Sequence, residues 1–169
     1  MPKIIPGLRE RLVEEAERQL VTGGYTALTI RSVAKACHVA VGTVYNYFSS
    51  KEEFVASALL MQWQQVLQSL NAAAESAQNV DVLLRCVYDQ LCTFIDQYKV
   101  LFHDEAAIAV FSASEGRYHD LLRRQLAQPL RPFCASDFEA EFVAEAVLTW
   151  TVEGEGFEEI YQVVRKIFK

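Results

Sequence analysis

Two short runs of apolar residues, separated by only a few positions, constrain this chain more than anything else in it. In the first, Ile30, Val33, Ala34 and Cys37 stand at i, i+3, i+4 and i+7, the spacing of one apolar helical face, and Thr29 precedes them as an N-cap. In the second, Val44 and Phe48 lie together on a 3.6-residue wheel and point inward, which leaves Gly42, Thr43, Tyr45 and Asn46 on the other side. Only the residues around His38 and Val39 join the two. Two short helices with a tight turn between them make a helix-turn-helix. In such a unit the second helix enters the major groove of DNA while the first crosses the backbone. The outward residues here are small, polar or phenolic, which suits a surface that must approach base edges and phosphates closely.

The ordered string G-T-V-Y-N-Y-F-S-S-K-E-E-F from Gly42 to Phe54, preceded by L-T-I-R-S-V-A at 28–34, resembles the DNA-binding signature of the TetR family of bacterial transcriptional regulators. The resemblance covers roughly residues 7–55 and is weak beyond. Two positions depart from it: His38 stands where the turn usually has glycine, and Ala40 where the next helix usually has a Ser or Thr cap. His tolerates positive φ better than most side chains, and the missing cap costs about 1 kcal/mol. The resemblance implies a dimeric, cytoplasmic regulator, most often a repressor, which leaves a palindromic operator when a small molecule binds its body. The alternative is a DNA-binding regulator without such an effector, controlled by a protein partner.

The net charge of −6 looks wrong for a DNA binder until it is divided along the chain. Residues 1–51 carry seven basic against four acidic side chains, a net of +3, which leaves −9 for the remainder. Salt screens charge over about 10 Å, so a cationic head can hold phosphate beside an acidic body. A head at 1–50 and a regulatory and dimerisation body at 51–169 are expected. With 51% hydrophobic residues, only 7 Gly and 4 Pro, and apolar positions recurring at three and four, the chain is expected to be all-α.

Taken in order, Leu8, Leu12, Ala16 and Leu20 mark a first helix from about Pro6 to Thr22, stopped by Gly23-Gly24. It completes a three-helix head with the two already described. Ser50-x-x-Glu53 fits a capping box, so a long helix is expected from Lys51 to about Ala77. Others are expected at Asn79–Tyr98, around Phe102–Phe111, and from about Tyr118 to Gln128, ended by Pro129 and Pro132. Ser136-x-x-Glu139 opens a helix ending near Gly154 or Gly156, and Phe157, Ile160, Tyr161, Val164, Ile167 and Phe168 form a last apolar stripe, for about nine helices in all. A terminal helix this apolar wants a partner. With the helix before it, through Phe142 and Val147, it would form a four-helix interface between two subunits, the dimer the family resemblance also implies.

Lys51 opens a helix, where backbone N–H groups already favour an anion, so its ammonium reads as a phosphate contact. Thr29, Thr43, Tyr45 and Tyr47 supply hydroxyls for the same backbone. Val41, Gly42, Thr43 and Asn46 are the candidates for reading bases: Asn bonds adenine bidentately, Val and Thr methyls touch thymine, and Gly permits close approach. Arg31 matches a position that in some relatives reaches a base, with a phosphate contact as the equal alternative. In the body, Trp63, Phe94, Tyr98, Phe102, Phe111, Tyr118 and Trp150 are candidates to line an effector pocket, although aromatic residues are more often core. Asp89, Asp96, Glu105 and Glu145 would suit a cationic ligand if they faced it.

Other chemistries have little to stand on. Cys37, Cys86, Cys92 and Cys134 show no C-x-x-C pairing, the three histidines are scattered, and neither metal nor cofactor is expected. Residues 56–74 carry no charge, but Gln62, Gln64, Gln65 and Gln68 among them argue against a membrane span, and the N-terminus does not resemble a signal peptide. No G-x-S-x-G, H-E-x-x-H or phosphate-cradling glycine loop is present, and in His103-Asp104 and His119-Asp120 adjacent residues on a helix point apart. An enzyme is not expected.

Overall fold

The structure, a computed structural model, describes residues 5–111 and 115–168. Among them are ten α-helices and no strand: α1 Leu8–Ala27, α2 Ile30–Ala36, α3 Val41–Tyr45, α4 Lys51–Ser76, α5 Val80–Gln97, α6 Lys99–Phe102, α7 Glu105–Phe111, α8 Glu115–Leu130, α9 Asp137–Val152 and α10 Phe157–Val164. A 3-10 turn, Arg131–Phe133, joins α8 to α9. The all-α expectation holds.

The helices group into two compact units. The first is built from α1, α2, α3 and α4 as far as Trp63, together with Gln97 onward through α6 and α7. Leu8, Leu12, Ala16 and Leu20 of α1 are wholly buried, as the four-residue repeat requires, along with Val33 of α2 and Val44 of α3. From the later segment Tyr98 and Leu101 are buried as well, and α6 packs along α1. The second unit takes Gln64 through Asp96, then α8 to α10. There α8 packs on α9 and α9 on α10, burying Leu126, Leu130, Val143, Val147, Ile160 and Val164.

Several boundaries differ from the sequence reading, each for a local reason. Helical turns continue past Gly23-Gly24 to Ala27, although Gly24 itself breaks the helix at φ 72°, ψ −173°. The added turn is secured from far along the chain: Tyr25 is buried, and the Thr26 N–H donates to the Asp104 carboxylate at 2.8 Å. The segment expected as one helix at 102–111 is split, because Asp104 Oδ1 accepts the N–H groups of Ala106 and Ala107 and so caps α7 separately from α6. Helix α8 runs one residue beyond Pro129, since a proline in the last turn loses only one backbone bond. Helix α10 ends at Val164, with i to i+3 bonds from the N–H groups of Lys166 and Ile167 tightening its end. At α9, Ser136 Oγ accepts from the Glu139 N–H as expected, but the Glu139 carboxylate reaches one residue further back, to the Ala135 N–H at 2.8 Å.

Candidate nucleic-acid interface

The entry to α2 is fixed by a reciprocal cap. Thr29 Oγ1 accepts the Ser32 N–H at 2.9 Å while Ser32 Oγ accepts the Thr29 N–H at 3.1 Å, and the Ser32 hydroxyl is tied on to Gln19 of α1 at 2.6 Å. The hydroxyl of Thr29 is therefore engaged as a cap, and Arg31 beside it is exposed. At the other end of α2 the His38 backbone sits at φ 57°, the left-handed conformation that the turn demands. The Val39 N–H closes the turn onto the Ala34 carbonyl at 2.9 Å, and the Arg11 guanidinium crosses from α1 to the Cys37 carbonyl at 3.2 Å. Arg11 thus satisfies a helix-end carbonyl.

Helix α3 stops at Tyr45, short of the inward Phe48 that the sequence places on it. Its end tightens before Ser49, with the Asn46 and Tyr47 N–H groups reaching three residues back to Thr43 and Val44; the Ser49 N–H then donates to the Glu53 carboxylate at 2.7 Å, while Ser50 Oγ caps the Glu53 N–H at 3.2 Å. Phe48 is nonetheless buried beneath α3, its ring 4.5 Å from that of Phe54, with the Arg9 guanidinium 5.2 Å from its centroid. With Val44 also buried, Gly42, Tyr45 and Asn46 are exposed and Val41 and Thr43 half-buried. Ala40 offers α3 no side-chain cap. Ala40→Ser is accordingly expected to raise the head's unfolding free energy by about 1 kcal/mol, read as a higher urea midpoint at unchanged slope.

The two tyrosines of Y-x-Y have different surroundings. Tyr45 is 54% exposed. The Tyr47 hydroxyl accepts the Ile5 N–H at 2.7 Å and donates to the Ile5 carbonyl at 3.3 Å, so it is occupied with the chain leading into α1. Lys51 stands at the first residue of α4, half-buried, with its ammonium 3.9 Å from the centre of the Tyr25 ring. Burial lowers its pKa, opposed by the carboxylates of Asp104 and Glu52. The Tyr25 hydroxyl donates to Glu52 at 2.9 Å, and burial with that bond pushes the phenol up to about 12. The sequence reading missed this setting of Lys51, because Tyr25 and Asp104 lie far from it along the chain.

The body candidates are dispersed. Trp63, Tyr98 and Phe102 belong to the first unit and Phe94, Tyr118 and Trp150 to the second, while the side chain of Phe111 lies outside the described residues. Trp63 and Tyr98 are buried, Phe94 half-buried, and Phe102, Tyr118 and Trp150 exposed. Glu145 is held by His119 at 2.9 Å and by the Thr149 hydroxyl at 3.0 Å, and Asp89 lies 3.2 Å from Arg85. Among the dimer candidates, Val147, Ile160 and Val164 are buried within the chain's own α9 and α10. Phe142 is exposed, and Phe157, Tyr161, Ile167 and Phe168 are half-buried. Among the described residues no three His, Cys, Asp or Glu side chains gather as a metal site would need, and no helix is long and apolar enough to cross a membrane.

A three-helix unit whose second short helix keeps a small and polar outer face, with a lysine opening the helix after it, defines the helix-turn-helix class of regulators. Residues 12–58 match the family model described as bacterial regulatory proteins of the tetR family. The repressor KstR of Rhodococcus jostii is 38% identical over 58 residues, which is 34% of this chain and 27% of KstR, so the chain spans about a quarter of that relative's length in the match. The likeness in fold extends over nearly all of the chain. A Streptomyces coelicolor protein, SCO7518, superposes with a TM-score of 0.73 at 16% identity, covering 97% of this chain and 99% of its own. The TetR-family regulator CifR, in a complex with 26-bp operator DNA, gives 0.60 at 14% identity, covering 99% of this chain and 97% of its own.

Proposed function

We propose that this chain is a DNA-binding repressor, active as a cytoplasmic homodimer that sets α3 of each subunit in a major groove. The observation that carries the reading is the outer face of α3: Gly42, Tyr45 and Asn46 are exposed directly above a buried Val44 and Phe48, so the helix is anchored on one side and open on the other. Tyr45 and Lys51 contact phosphate, with Thr29, Thr43 and Tyr47 at the margins, and Val41, Gly42, Thr43, Asn46 and Arg31 face the bases. The operator complex of CifR supports the reading by fold alone. Two subunits would read half-sites about 34–36 Å apart, or a multiple of that turn.

In this reading the dimer forms through the second unit, where Phe142 and the neighbouring Phe138 and Trp150 are exposed on α9, while Val147, Ile160 and Val164 stiffen the helices from within. A small molecule held by the body would release the operator through its different affinity for the free and DNA-bound arrangements. No catalytic role is assigned.

The test is binding of the purified chain to DNA from its own upstream region across a salt series, with Tyr45→Phe and Lys51→Ala alongside. Lys51→Ala is expected to weaken binding several-fold on all sequences and to flatten the salt slope by about one unit, since one phosphate would go without its ammonium. Parent binding equal to that of random duplex, with no change in either variant, would overturn the reading.

A further inference from the structure

Two stretches of the first unit, the end of α1 and the start of α7, meet at the carboxylate of Asp104. One oxygen accepts the Thr26 N–H at 2.8 Å, and the other accepts the Thr26 hydroxyl at 3.2 Å and the N–H groups of Ala106 and Ala107 at 3.0 and 3.3 Å. These bonds, that from the Thr26 backbone first, hold the carboxyl below its ordinary pKa, so it stays charged and its bonds are of the stronger, charge-assisted kind. The same turn presses on Gly24: a Cβ built there would stand 2.9 Å from Val100 Cγ1 and 3.4 Å from an Asp104 carboxylate oxygen. The residue between Gly24 and Thr26 is Tyr25, whose buried ring carries the Lys51 ammonium on its face and whose hydroxyl holds Glu52.

The link is therefore short and continuous: the first turn of α7, the last turn of α1, the first residue of α4. We infer that Asp104 is a positioning residue for DNA binding, fixing through Thr26 the Tyr25 ring that sets where the Lys51 ammonium stands. The inference rests on the DNA-binding reading above. It also separates two roles of one carboxylate. As a nearby negative charge Asp104 would only repel phosphate, and removing the charge would tighten binding. As a fastener it is needed, and an uncharged side chain of the same shape, which keeps one of the two acceptor oxygens, would replace it in part.

The experiment measures operator affinity of the full chain with Asp104→Ala, Asp104→Asn and Thr26→Val, each also in a Lys51→Ala background. Asp104→Ala is expected to weaken binding several-fold in the parent, no more than Lys51→Ala itself does, and less than twofold in the Lys51→Ala background, because the carboxylate acts through that lysine. Asp104→Asn, which keeps one acceptor oxygen but turns its NH2 toward either the Thr26 N–H or those of Ala106 and Ala107, should lose less than Asp104→Ala, about two- to threefold. Thr26→Val, which removes only the hydroxyl bond, should lose about two- to threefold and serves if Asp104→Ala does not fold. Tighter binding in both Asp104 variants, or an equal loss from Asp104→Ala with and without Lys51, would overturn the inference while leaving the DNA-binding reading intact. A parent that binds no DNA specifically would overturn both.

Discussion

Gly42→Glu is expected to abolish specific DNA binding, by at least about a hundredfold, in a chain that folds as well as the parent. Stability and function separate cleanly at this position. Gly42 is the second residue of α3, it is exposed, and a Cβ built on it meets no atom within 4 Å. A glutamate in a helical first turn favours the helix in two ways: it lowers the conformational entropy glycine brings to the unfolded chain, worth about 0.5–1 kcal/mol, and its carboxylate suits the positive end of the dipole. On the DNA side the same carboxylate lies where a groove edge and phosphates must approach. Urea denaturation and operator binding measured on one preparation check both halves. Parent-like affinity in Gly42→Glu would remove α3 from the binding face.

The largest effect on stability is expected at Phe48. Its side chain is 1% exposed, meets the Phe54 ring at a tilt of 37° and lies under the Arg9 guanidinium, so Phe48→Ala opens a cavity in the interior of the head. The cost for such a truncation is about 3–5 kcal/mol, against a total of about 5–15 kcal/mol for a typical domain. The expected result is a head that exchanges its α1–α3 amide hydrogens with little protection at room temperature. Equal protection in Phe48→Ala and the parent would mean that α3 is held by something other than this ring.

Much of the head was legible in the sequence because its signals are local. The Thr29 cap, the 30–33–34–37 stripe and the inward pair Val44 and Phe48 each depend on residues within one or two helical turns, and each is found as read. The departure at His38 was legible too, since a turn that wants glycine forces whatever stands there to positive φ, here 57°. The end of α3 was not, because there the Asn46 and Tyr47 N–H groups shift to three-residue bonds and the Ser49 N–H goes to the side chain of Glu53 in the next helix. Nor was the surrounding of Lys51, which depends on Tyr25 and on Asp104, 53 residues further on, meeting it only after folding. The apolar stripe of the last helix shows a third limit. Periodicity says that Ile160 and Val164 will be covered, but not whether the cover comes from the same chain, and here α9 supplies it.

The return of α6 and α7 to the first unit has a consequence for how the protein is made. The helix-turn-helix, with α1 before it and the start of α4 after it, leaves the ribosome early, yet Tyr98 and Leu101, which complete the buried interior, follow tens of residues after Trp63. At roughly 5–20 residues per second, the nascent head waits several seconds with an incomplete interior before its last pieces arrive. Its maturation is timed by the translation of sequence that looks, on the page, as though it belonged to the other half of the molecule.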